Sequence, residues 1–231
     1  MLVRFGGGVV DARGSVAGNV FTRSKGGATV RARRKPINPN SPTQFRSRAI
    51  ASVVAQAWGS TLTPAQRAAW NLYALNSSWL NKLGESINIG GLAAFMRLNS
   101  VLLMAGKVLV DAAPTAYGHA EGPVSTITAA QGTQLITLAE PSTGFAKATT
   151  GDLLLVFQPM PQNPGRAAEP SRPRFLEAIT GSSGAPPAFP YTVAVTNGYP
   201  ITTGMRVSLS LVHIDLQNRV SIRNTFFCVA T

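Results

Sequence analysis

Hydrophobic positions along the chain change their period twice. Between Asn19 and Arg34 they alternate, with Val20 and Thr22 against Phe21 and Arg23, then Ala28, Val30 and Ala32 against Thr29, Arg31 and Arg33. A period of two predicts half-buried strands, and Ser24-Lys25-Gly26-Gly27 between them predicts a hairpin turn. Pro36-Ile37-Asn38-Pro39-Asn40 then breaks the regular structure, and from Ser41 the period lengthens to that of a helix. Ser41-Pro42-Thr43-Gln44 and Thr63-Pro64-Ala65-Gln66 share one design. The hydroxyl caps, the proline suits the first helical position and the glutamine closes a capping box. The first helix is expected to run to Trp58, with Phe45, Ala49, Ile50, Val53, Val54, Ala57 and Trp58 as its apolar stripe. The second, to Leu75, presents Ala69, Trp70, Tyr73 and Ala74. A third, Gly91 to Ala105, carries Leu92, Phe95, Met96, Leu98, Leu102 and Leu103, with Gly106 as its stop. Three amphipathic helices of this kind are expected to pack as a small bundle.

Past Pro114–Pro123 the pattern returns to short β-like runs: Val124–Ala129, Thr133–Ala139, Asp152–Phe157, Arg174–Thr180, Tyr191–Thr196, Met205–Asp215 and Val220–Val229. Seven such runs separated by Gly/Pro turns predict a β-sandwich of the immunoglobulin or fibronectin kind. The predicted fold class is therefore α+β. Residues 1–40 form an extended basic N-terminal arm with a β-hairpin, 41–113 a small helical domain, 114–123 a linker, and 124–231 the C-terminal immunoglobulin/fibronectin-like β-sandwich.

Charge sharpens the picture of the arm. Of a net +12, residues 1–48 hold ten basic side chains against Asp11 alone, a net +9; residues 49–231 hold eleven basic and eight acidic groups, a net +3. Such asymmetry marks an arm that seeks an acidic partner. Its candidate partner-binding residues are Arg4, Arg13, Arg23, Lys25, Arg31, Arg33, Arg34 and Lys35. Arginine forks pair with carboxylates as readily as with phosphates, so charge leaves both an acidic protein and nucleic acid open. The arm has only Phe5 and Phe21 as aromatics, which offers no base-stacking platform. Charged residues make up only 13% of the whole chain, against roughly 25% in an ordinary domain. A surface so poor in charge points to coverage by neighbours in an assembly, or else to a free surface rich in Ser, Thr, Asn and Gln.

The chemistry of catalysis is thinly represented. His119 falls in the expected linker and His213 inside a strand pattern, each read as a surface or satisfied core histidine. Cys228, the single cysteine, is flanked by Phe227 and Val229 and reads as a small buried hydrophobe. The nine acids are scattered, metal-ligand spacing is absent, and the glycine runs match neither a Walker motif nor GxGxxG. No catalytic, metal or cofactor site is expected. MLVRFGGGVV lacks the apolar run of a signal peptide, and no stretch approaches the ~20 apolar residues of a membrane span. The expectation is a protein neither secreted nor membrane-embedded.

One set of strings carries a resemblance: Gly18-Asn19-Val20-Phe21-Thr22-Arg23, Gly26-Gly27, Val30-Arg31-Ala32-Arg33 and Asn38-Pro39-Asn40-Ser41-Pro42-Thr43-Gln44. It continues in Leu62-Thr63-Pro64-Ala65-Gln66-Arg67-Ala68-Ala69-Trp70-Asn71 and Gly91-Leu92-Ala93-Ala94-Phe95-Met96-Arg97-Leu98-Asn99. This pattern resembles a group of uncharacterised tailed-bacteriophage and prophage virion proteins, over residues 14–115 and more weakly at Pro161–Arg166 and the terminal hairpin. The resemblance implies a non-enzymatic structural component of a virion made in the host bacterial cytoplasm. It would be a capsid decoration or cement protein held by its basic arm, or a neck or tail component. Its partners would be the major capsid protein or neck and tail proteins, together with further copies of itself. A nucleic-acid-binding protein is the reading from another class.

Overall fold

The computed structural model describes residues 2–4, 6–7, 11–24, 26–35, 38, 40–81, 83–166 and 173–231. The α+β class is what it has: three α-helices and several antiparallel sheets. Two compact units divide the chain, residues 1–96 with 111–113 and residues 97–110 with 114–231.

In the first unit, alternation builds more sheet than the expected single hairpin. Strands β1 (Leu2–Val3), β2 (Gly14–Val16), β3 (Asn19–Ser24) and β4 (Gly27–Ala32) form an antiparallel sheet in the order β1-β4-β3-β2. The hairpin lies where the pattern put it, β3 against β4, in register from Asn19 opposite Ala32 to Ser24 opposite Gly27. Its second strand ends at Ala32, so Arg33 and Arg34 lie beyond it. The departure is in the arm. Where extended chain was expected over residues 1–18, β2 pairs with β3 and β1 with β4. A tight turn makes the first pairing, with Ala17 at φ 48° followed by Gly18.

Helix α1 (Pro42–Gln56) closes through a wider turn, Ala57–Thr61, sealed by the Leu62 N–H donating to the Ala57 carbonyl at 3.0 Å. Helix α2 spans Pro64–Asn76 and α3 Gly91–Met104. The two helix starts are not equals. At Thr63 the capping box is complete, with the Gln66 N–H donating to Thr63 Oγ1 and the Thr63 N–H to Gln66 Oε1. At Ser41 only the forward bond exists, at 3.4 Å, and Gln44 Oε1 turns inward without a donor among the described residues. Thr63→Ala is therefore expected to cost about 0.5–2 kcal/mol, the range for a lost N-cap, and Ser41→Ala less. Urea-unfolding midpoints of the two variants check this.

Aromatic rings hold the helical unit together. Trp70 and Phe95 are fully buried and stack edge to face at 5.4 Å, flanked by Tyr73 on Trp70 and Trp58 on Phe95. Trp79, on the two-residue strand β5 (Trp79–Leu80) paired with β6 (Ser86–Ile87), extends the cluster through Tyr73. The first residue of α3 must be glycine here. A Cβ on Gly91 would strike the backbone of Asn71, whose side chain accepts the Gly91 N–H at 3.1 Å.

Seven strands build the second unit: β7 (Ile127–Ala130), β8 (Leu135–Leu138), β9 (Leu153–Gln158), β10 (Arg174–Thr180), β11 (Tyr191–Ala194), β12 (Arg206–Ile214) and β13 (Asn224–Val229). They pair antiparallel into a three-stranded sheet, β11-β8-β7, and a four-stranded sheet, β10-β9-β12-β13. Ile127, Ile136, Leu138 and Val193 from the first meet Leu154, Val156, Val207, Leu209 and Leu211 from the second in one core. Period-two alternation does not describe β9 and β12, because both of their faces are covered. The outward face of β9 is Leu153, Leu155 and Phe157, all buried. On that side Lys107 Nζ reaches Thr180 Oγ1 and the Arg223 guanidinium lies over the Phe157 ring.

The segment expected to be a linker is fastened to this unit. Thr143 Oγ1 donates to the Gly122 carbonyl and Asn224 Nδ2 to that of Pro123. Gly144 makes the approach feasible, since its φ is +81° and a Cβ there would come within 2.8 Å of the Glu121 carbonyl. Loops are clipped by side-chain amides that imitate a strand partner. Gln134 exchanges two hydrogen bonds with the backbone of Ile201, Gln158 two with Tyr199, and Asn99 two with Val110.

Candidate functional site

Eight basic residues were the candidates, and the structure sorts them by partner. Arg13 and Arg23 converge on the Asp11 carboxylate at 3.5 and 3.4 Å, and Arg4 reaches Glu85 at 2.7 Å. All three remain largely in solvent, where such pairs contribute about 0.2–1 kcal/mol and exchange readily. Arg31, Arg33, Arg34 and Lys35 are exposed and take no acidic partner among the described residues. Lys25 lies outside the described residues. The arrangement is not a single patch. Cross-strand pairing sets Arg31 on the sheet face of Val20, Thr22 and Thr29, and Arg23 on the opposite face with Phe21 and Val30. Arg33 holds its place through its backbone, with the N–H donating to the Gly18 carbonyl at 2.7 Å. Residues 31–35 thus present four cations in five positions at the end of a rigid hairpin.

A broader signal surrounds them. From residue 12 to residue 84 the chain contains no aspartate or glutamate, while Arg13, Arg23, Lys25, Arg31, Arg33, Arg34, Lys35, Arg46, Arg48, Arg67 and Lys82 carry positive charge. The acids at the two ends of this stretch, Asp11 and Glu85, are the ones that Arg4, Arg13 and Arg23 engage. Arg48 Nη2, from the middle of α1, donates to Asn38 Oδ1 at 3.2 Å. Counting charge by halves of the chain hides this stretch; scanning for gaps between acids finds it.

The most polar buried arrangement lies in the second unit. His213 on β12 and Asp152 just before β9 lie on the side of their sheet that carries Leu154, Val156, Leu209 and Leu211, and His213 Nε2 lies 2.7 Å from Asp152 Oδ1. His213 Nδ1 lies 3.1 Å from the Glu121 carbonyl. A carbonyl oxygen and a carboxylate oxygen both accept, so the site favours the doubly protonated ring over the neutral one. Burial pulls its pKa down. The Asp152 hydrogen bond and charge, the Glu121 carbonyl and Asp215 outweigh that, and the pKa is raised above the ordinary value. Asp152 Oδ2 also accepts the Ala146 N–H at 2.7 Å. The group is a structural pin: both of its charged members are nearly sealed from solvent and have their hydrogen bonds made.

Elsewhere among the described residues titratable groups meet in simple pairs, such as Asp215 with Arg219 and Tyr191 with Glu177. Burial, then the hydrogen bond and charge of Glu177, push the Tyr191 phenol up to about 12, so it remains a donor. Burial raises the half-buried Cys228 thiol, which keeps it from acting as a thiolate nucleophile. An open cleft of about 420 Å³ between Leu75–Ser78 and Ser86–Asn88 is lined by amides, hydroxyls and two aliphatic residues. Among the described residues no group of three His, Cys, Asp or Glu is placed to hold a metal ion. No helix among them is long and apolar enough to cross a membrane. Comparison of the chain with protein-family models, with curated proteins and with solved structures finds no match.

Proposed function

We propose that the chain is a non-enzymatic structural component of a tailed-phage virion, a capsid decoration or cement protein anchored through its basic N-terminal region. The observation that carries this reading is the acid-free stretch, residues 12–84, with Arg31, Arg33, Arg34 and Lys35 exposed at the end of a hairpin. So much unbalanced positive charge on a folded unit repels itself unless an acidic surface covers it. The resemblance of residues 14–115 to phage virion proteins supplies the setting. The acidic surface is then a neighbouring virion protein, and residues 1–40 act as the anchoring arm on it.

The second unit serves as the projecting module, of immunoglobulin/fibronectin type. Lettered A to G in chain order, its strands fall into sheets A-B-E and D-C-F-G. This is the immunoglobulin constant arrangement with the fourth strand moved to the other sheet, which supports the reading. The test is binding of wild type and of the doubly substituted Arg31→Glu/Arg33→Glu protein to particles lacking this protein, and to duplex DNA, across a salt titration. Both positions are exposed, so the substitutions spare the buried core, and circular dichroism of the variant checks its fold. Loss of particle binding in the variant, with weak and sequence-indifferent DNA binding by wild type, is the expected result. Tight DNA binding that falls with a log–log salt slope near 0.9 per phosphate, while particle binding survives the substitutions, would replace this reading with nucleic-acid binding.

A further inference from the structure

Helix α2 is apolar on both sides. Its inner side is Trp70, Tyr73 and Ala74, all buried. Its outer side, at helical spacing, is Ala65, Ala68, Ala69, Leu72, Leu75 and Asn76, all exposed, with Leu72 at 52% and Leu75 at 63%. A surface helix ordinarily turns charge toward water, and a helix that is apolar all round is a buried one. This one is too short to be buried in a bilayer, since thirteen residues rise only about 20 Å. Even the one polar group on the outer side is withdrawn, for Asn76 Nδ2 donates back to the Leu72 carbonyl at 3.0 Å.

Charge identifies the occupant. In a chain of net +12, residues 49–81 contain a single charged side chain, Arg67, and it sits on the flank of α2 rather than among the outer residues. An acidic neighbour finds nothing to pair with on such a face. A second copy of this chain elsewhere meets like charge, but here it meets none. The three alanines let a like helix approach closely, and Leu72 and Leu75 fill the seam. We propose that the outer face of α2 packs against the same face of a second copy, as a self-complementary, twofold contact. The inference rests on the reading of the chain as an assembly component and names the surface through which its copies meet. Two helices of this length bury less than the ~1,200 Å² of a stable interface. The contact is therefore weak between free subunits and cumulative where subunits are held side by side.

Sedimentation equilibrium of the full chain, from micromolar toward millimolar concentration and at two salt levels, tests it. The wild-type weight-average mass is expected to climb with concentration, and to climb more at high salt, where like-charge repulsion is screened. Leu72→Lys/Leu75→Lys should weaken the association at least about tenfold, a drop of ~1.4 kcal/mol. Val108→Lys, at a residue 82% exposed and outside the helix, should leave it unchanged. A second readout does not depend on stability. On a Cys228→Ser background, Ala69→Cys at the middle of the face should give a covalent dimer under mild oxidation, and Val108→Cys should not. A wild-type chain that stays monomeric throughout, association equal in the lysine variant, or cross-linking equal at both cysteine positions overturns the proposal. Because purified subunit alone is used, that failure is separate from failure of the particle-binding test.

Discussion

Trp70→Ala is expected to destabilise the protein by roughly 3–5 kcal/mol, the range for removing a fully buried large aromatic. Trp70 has no exposed surface and packs edge to face on both Tyr73 and Phe95, so its loss leaves a cavity ringed by rigid side chains. Its indole Nε1–H donates to the Asp111 carbonyl at 2.9 Å, which ties residues 111–113 back to this unit. Trp70→Phe is the milder substitution. It keeps an aromatic ring between Tyr73 and Phe95 but gives up the hydrogen bond and part of the ring volume, so it should cost less than Trp70→Ala. Urea denaturation followed by circular dichroism measures both. A Trp70→Ala protein that unfolds at the wild-type midpoint but no longer assembles would move Trp70 from the core to an interface.

Asp152→Ala is expected to cost roughly 3–5 kcal/mol as well, because it strands a buried cation. His213 would lose its acceptor, and the Ala146 N–H would lose its own. The pair also dictates a pH dependence. His213 has a folded-state pKa above the ordinary histidine value of 6.5, so its stabilising contribution is complete below that value. It is lost as the pH rises through the raised folded-state value, when one ring nitrogen gives up its proton and faces an acceptor. Wild-type thermal midpoints should therefore fall with rising pH above about 6.5, and those of His213→Gln should run flatter over the same window. Parallel curves for the two proteins would mean that folding does not raise the His213 pKa.

Local features of this fold could be read from the sequence, and features made by distant residues could not. Ser41-Pro42 and Thr63-Pro64 mark helix starts because a cap involves only four consecutive residues, and both helices begin there. The same spacing promised two equal capping boxes. Gln44 breaks the promise because its amide turns inward, a choice made by tertiary surroundings. The stripe assigned to α1 is correct in period but not in burial: Val54 and Ala57 are inside, while Phe45, Ala49 and Val53 face solvent. In α2, likewise, Ala69 lies on the outer side. Periodicity says which residues share a face and is silent on whether anything covers it. Asp152 and His213 are 61 positions apart, and only the pairing of β9 with β12 makes them neighbours. Within the candidate site, the basic residues were legible from composition. Their division into paired and unpaired sets depended on where Asp11 and Glu85 fall in space.

The amide clips at Gln134, Gln158 and Asn99 fasten the second unit without using charge. Each holds a loop by two hydrogen bonds between uncharged groups, so neither ionic strength nor a shift of a few pH units changes it. Contacts made by Arg31, Arg33, Arg34 and Lys35 behave in the opposite way, since exposed charges are screened within about 10 Å at 0.1 M salt. If the first unit binds an acidic neighbour as proposed, a rise in salt should loosen that contact while the loops of the second keep their shape. If the first unit anchors the chain as proposed, attachment would be reversible without unfolding: subunits shed into concentrated salt would return to their sites on dilution, intact and ready to bind again.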